Sequence, residues 1–215
     1  MKRFLPYAVV LTAFALPLSA HAEGFALGVR AGTLGAGVEG TIGLSERINL
    51  RLGANSYTYS YDETIEDIRY DADLELKSGA LILDWHPFAG AFRVSAGMLS
   101  NKNGVDLTAT PTGSVTIGGT TYPFGTAGTL DGEVRFKSGA PFVALGWGNA
   151  VAGNKGFGLN FEIGAVFQGS PDVELASSNP AVPQSDLDQE EREIEDDLDN
   201  FKVYPVLSLG VSYRF

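Results

Sequence analysis

Two sets of charged residues are placed where they can do chemistry, and neither has the make-up of a catalytic centre. The first is Arg30, Glu39, Arg51, Glu75, Lys77, Arg93, Glu133, Arg135, Lys137, Glu162 and Arg214, set among apolar residues in runs that alternate in polarity. If the chain collects these seven cations and four anions in one dry space, they must pair, bind water or change protonation. The second set is Asp186, Asp188, Glu190, Glu191, Glu193, Glu195, Asp196, Asp197 and Asp199, with Arg192 as the single cation in the run. Such a run either gathers cations by its field or is simply a solvated face, and the sequence leaves both open. General acid–base work falls most often to histidine. Only His21 and His86 are present, and His86, between Trp85 and Pro87, suits an interfacial aromatic belt. The absence of cysteine excludes disulfides, Cys-held metals and lipid attachment through Cys. The glycine-rich stretch 32–43 lacks the strand-then-helix setting of a phosphate loop. These observations predict no enzyme, no cofactor and no metal.

What must position the charges is a series of strands. Counting back by twos from the C-terminus, Phe215, Tyr213, Val211, Leu209 and Leu207 share one face, while Arg214, Ser212, Gly210 and Ser208 share the other. One greasy face and one small or polar face suit a wall between lipid and a polar lumen, although a soluble antiparallel sheet alternates too. The pattern recurs through Phe25, Leu27 and Val29, through Ile48, Leu50 and Leu52, and through Phe92, Val94, Ala96 and Met98. An inward assignment of the first charged set follows, because Arg or Lys facing lipid at mid-membrane costs about 2–4 kcal/mol. The apolar parity slips at two similar segments, Lys77-Ser78-Gly79 and Lys137-Ser138-Gly139. A β-bulge at each glycine and mere tolerance of small residues are both open readings.

The N-terminus reads as an export leader. Met1-Lys2-Arg3 precedes an apolar stretch 4–18 and the small residues of Ser19-Ala20-His21-Ala22, so residues 1–22 are expected to be removed. The remaining 193 residues (215 less 22) fit one domain, 23–215, and losing Lys2 and Arg3 takes the formal charge from −11 to −13. This acidity argues against nucleic acid as a partner. Short turns at 45–47, 87–90 and 149–155 alternate with long loops at 62–71, 101–129 and 169–200. The expected fold is therefore all-β: an eight-stranded antiparallel transmembrane up-and-down barrel, its long loops outward. Ten strands would require 114–122 to enter the membrane, and that segment is instead expected to stand above it. Leu187, Ile194, Leu198 and Phe201 form a narrow helical stripe, so a short helix capped by Ser185 is expected in the last outer loop. Tyr57, Tyr59, Tyr61 and Tyr70 suit either an outer aromatic belt or a surface that binds a partner.

The whole mature stretch resembles the small outer-membrane barrels of the OmpA and OmpW type, and more narrowly the CarO-type proteins. The matching pieces are Gly169-Ser170-Pro171-Asp172-Val173-Glu174-Leu175, the acidic run from Asp188 to Glu195, and Tyr204-Pro205-Val206. The terminal aromatic, with Tyr213 and Phe215, resembles the signal read by the barrel-assembly machinery. The resemblance implies an outer-membrane barrel with a basic amino acid such as ornithine, or another small cation, as solute; a monomer among lipid and lipopolysaccharide is expected. Eight strands enclose only enough room for side chains to fill, so a salt-bridged plug and a narrow polar path both remain open, as does a non-conducting structural or adhesive barrel acting through its acidic outer loops.

Overall fold

The computed structural model describes residues 24–65 and 68–215, so the expected leader 1–22 lies outside the described residues. The membrane part is built from β1 (Gly24–Gly32), β2 (Gly35–Ser45), β3 (Ile48–Ile65), β4 (Ile68–Trp85), β5 (Phe92–Asn101), β10 (Gly139–Trp147), β11 (Gly156–Phe167) and β13 (Val203–Arg214). Each pairs antiparallel with the next in that order, and β13 pairs with β1, so eight strands close a ring. Closure leaves no sheet edge in the hydrocarbon, where an unpaired backbone group costs several kcal/mol.

Outward positions carry the apolar residues. Leu52, Leu81 and Met98 are half-exposed in adjacent register, and Leu159 is 78% exposed. A soluble barrel would bury such a belt; lipid covers it here. Below the belt runs an aromatic rim. Phe25 stacks on Phe215 at 5.8 Å, Phe157 meets Tyr213 at 5.0 Å, and Phe92 meets Trp147 at 5.3 Å. From Trp85 at this rim to Lys77 is nine residues along β4, about what a tilted spanning strand needs.

The strands do not stop at the membrane. β3 and β4 stay in one unbroken register from Ile48↔Trp85 to Ile65↔Ile68, so the expected loop 62–71 is the tip of a long hairpin, with 66–67 outside the described residues. Beyond Lys77, β4 pairs with β6 (Gly104–Pro111), β6 with β9 (Leu130–Arg135), and β9 with β12 (Asp172–Ser177). The result is a five-stranded sheet standing on one side of the barrel: a head. The segment 114–122 forms a small hairpin of β7 (Val115–Ile117) and β8 (Thr120–Tyr122) in this head, not added barrel strands.

No bulge interrupts β4. Even-numbered residues point inward along its whole length, with Leu76, Ser78, Ile82 and Asp84 all buried. The apparent slip in apolar parity has another cause. Below Lys77 the outer face meets lipid and must be greasy; above it the outer face meets water and is polar, while the inner face becomes the apolar side of the head. The real irregularity lies three strands over, where 168–171 separate β11 from β12. There Gly169 takes φ +76 and the register against the neighbouring strand shifts by one residue.

Candidate functional site

The ring brings Arg30, Glu39, Arg51, Arg93 and Glu162 together inside the barrel with Asp84, none more than 8% exposed. Arg30 Nη1 lies 3.5 Å from Glu39 Oε2 and 3.7 Å from Glu162 Oε1. Arg51 donates to Glu39 at 3.4 Å, to Asp84 at 3.0 Å, and to Glu162 in a shorter contact. Arg93 reaches Glu162 Oε2 at 3.2 Å and the Gly148 carbonyl at 2.7 Å, and Ser95 donates to Asp84 at 2.6 Å. Three guanidiniums therefore face three carboxylates, and Glu162 touches all three. Gly146 makes the arrangement possible: a Cβ there would sit 2.7 Å from the Arg93 guanidinium carbon.

Asp84 escaped the sequence reading although its signal was available, since it alternates with Leu83 and Trp85 on the inward phase. A void of about 10 Å³ adjoins the cluster, no more than one water molecule needs. Above it Leu34, Ile82, Leu99, Phe142, Val166 and Val206 fill the lumen, each at most 4% exposed. Leu34 comes from the β1–β2 turn, which folds inward and is held by Thr33 Oγ1 donating to Pro205 O at 2.9 Å. Below the cluster His86 is fully buried rather than in the aromatic belt, because it continues the inward phase of β4 past Trp85. Its Nδ1 donates to Gly90 O at 2.8 Å, which leaves Nε2 to accept from Asn49 at 3.1 Å.

Five other charges expected in the lumen are elsewhere. Glu75 and Lys77 pair with each other at 2.9 Å on the exposed outer face of the head. Arg135 pairs there with Asp106 at 2.5 Å and Glu133 at 2.6 Å, and Lys137 is exposed where β9 gives way to β10. All follow the outward phase, which above Lys77 faces water, so an outward charge there carries no lipid penalty. Arg214 is on the inward phase at the lower end, where it donates to Gly153 O.

The acidic run forms α1 (Gln184–Asp197), followed by a 3₁₀ turn, Leu198–Lys202. Pro183, not Ser185, occupies the N-cap, and Ser185 lies in the first turn. The stripe is divided: Leu187 is buried with Ile117, Tyr122 and Val182, whereas Phe201 stays 54% exposed. Several carboxylates bind the helix to the head. Glu191 accepts from Leu175 N at 2.7 Å and Glu195 from Val173 N at 3.2 Å, so they cover the free edge of β12. Glu190 accepts from Gly118 N at 2.8 Å, and Asp186 accepts from the Tyr122 hydroxyl at 2.6 Å. Asp188 and Glu193 accept from Gln184 and Gln189 one turn earlier, and Asp199 pairs with Lys202 at 2.7 Å. Asp196 and Asp197 are exposed.

The Tyr122–Asp186 bond shifts both groups. The hydrogen bond pushes Tyr122 up to about 12 and holds Asp186 below its ordinary value. The carboxylate's contribution is present above its unfolded pKa and is lost as pH falls through the lowered one. The phenol's contribution is present below pH 10 and fades as pH rises toward 12. Ultraviolet titration of Tyr122→Phe is therefore expected to lose one late-ionising phenol; an unchanged late phase would contradict the assignment.

The tyrosines expected in an outer aromatic belt are on the inward phase of the head hairpin. Tyr57, Tyr59 and Tyr61 stand opposite Leu76, Leu74 and Ala72, and remain 42–52% exposed.

No protein-family model and no curated protein matches the chain. Solved structures do. The crystal structure of Acinetobacter baumannii CarO2 is similar over 91% of this chain and 100% of its own, with 26% identity and a TM-score of 0.62. That of Acinetobacter baumannii CarO is similar over 88% and 97%, with 25% identity and a TM-score of 0.58. The chain thus resembles CarO as an eight-stranded, outer-membrane-type barrel, and its likeness is to these barrels and not to enzymes.

Proposed function

We propose that this chain, a barrel with the fold of CarO, is an outer-membrane protein closed along its axis that works through its acidic outer head. The observation that carries the reading is the filled lumen: a balanced ion cluster with an apolar plug above it. The head supplies the chemistry that remains, a negative field from exposed carboxylates that raises the local concentration of small cations and of divalent ions bridging lipopolysaccharide. In this reading the leader 1–22 directs export, Tyr213 and Phe215 are read during assembly, and the barrel stands as a monomer.

One observation favours a second reading, passage of a basic amino acid such as ornithine. Glu39, Asp84 and Glu162 already bind guanidiniums, so a cationic side chain can exchange with an arginine of the cluster. Planar-bilayer recording with ornithine and with potassium chloride separates the two. The closed barrel is expected to leave the bilayer silent at all voltages. Regular cation-selective steps that vanish on unfolding the protein would overturn it.

A further inference from the structure

The two edges of the head are treated differently. At β12 the outward N–H groups of Val173 and Leu175 are taken by Glu195 and Glu191 of the helix laid along that edge. At the other edge, β3 pairs with β2 only as far as Ser56, and residues 57–65 pair with β4 alone. All nine are exposed. A long, flat, unpaired edge invites another strand, and soluble folds normally blunt such edges with charge, bulges or a cover. Here the fold covers one and leaves its counterpart bare.

The side chains beside the bare edge define what fits. Tyr57, Tyr59 and Tyr61 form one row, about 7 Å from one to the next, on the apolar inner face. Asp62 stands directly opposite Asp71, and Ser60 opposite Asp73. Like charges in direct register destabilise a pair, and Arg69, 3.2 Å from Asp71, offsets only part of this charge. Glu63 adds a carboxylate on the tyrosine side. A second copy of the same edge would set acid against acid.

We propose that residues 57–65 form a docking edge for an extended cationic peptide, which adds a strand to β3 by backbone hydrogen bonds. Arginine or lysine side chains of the peptide lie over the tyrosine row, where ring faces attract cations, and reach Glu63 on the same face, while Asp62 on the opposite face adds to the negative field along the edge. The inference holds whether or not the lumen conducts.

The full-length mature barrel in detergent is tested with two acetylated ten-residue peptides that both alternate arginine with valine, the second N-methylated at every residue. The second keeps the charge and the side chains, but has no amide N–H to donate to a ladder. The first is expected to bind at least about tenfold more tightly and to slow hydrogen exchange at amides within 57–65. Asp62→Asn with Glu63→Gln is expected to weaken it about tenfold, with the folded gel band retained. Equal binding of both peptides, protection confined to other strands, no binding, or a dimer cross-linked through β3 would each overturn the proposal.

Discussion

Glu162→Ala is expected to destabilise the folded barrel by about 3–5 kcal/mol, the loss typical when one partner of a buried ion network is removed. The carboxylate touches Arg30, Arg51 and Arg93. Without it three guanidiniums share Glu39 and Asp84 in a space with no room for bulk water. The cost arises mainly from the cations left behind, so adding Arg51→Leu to the variant should recover part of it. The check is the denaturant midpoint of the detergent-folded barrel, with the double variant as comparison. A midpoint unchanged by Glu162→Ala would mean that the cluster is wet and its charges independently solvated.

Leu81→Arg carries the next largest expected effect, about 2–4 kcal/mol. Leu81 is flanked by Leu52 and Met98 and lies midway along β4 between the rim at Trp85 and the water boundary at Lys77. The same arginine at Asp73, on the same face of the same strand, is expected to change stability by no more than about 0.5 kcal/mol, because there the face meets water. Equal losses at the two sites, measured as the difference in unfolding midpoint in vesicles, would contradict the placing of that boundary.

The eight-strand ring was legible because period-two alternation survives in every membrane segment, down to Arg214 between Tyr213 and Phe215. The same rule misled above the membrane. It treats every charge as inward, whereas Glu75, Lys77, Glu133, Arg135 and Lys137 obey a rule for strands in water. What looked like slipped parity at Gly79 and Gly139 is the level at which the outer solvent changes. The core of the cluster was readable for the same reason that the ring was, and Asp84 would have been found by following the phase set by Leu83 and Trp85. Edge capping by Glu191 and Glu195 was not readable. It depends on which strand ends the head sheet, a pairing far apart in sequence. The helix start was missed because the extended Pro183 takes the cap position, its carbonyl accepting from Asp186 and Leu187 N–H, so that Ser185 already lies inside the first turn.

β3 and β4 run without interruption from the membrane into the head, walled by lipid below Lys77 and by water above it. The chain contains no cysteine, so single cysteines placed along β4 can carry spin labels without background. Labels at Leu81 and Leu83 are expected to relax with oxygen dissolved in the bilayer, and those at Asp73 and Glu75 with an aqueous nickel reagent. An accessibility pattern whose phase reverses at Gly79, or aqueous access at Leu81 and Leu83, would contradict this arrangement.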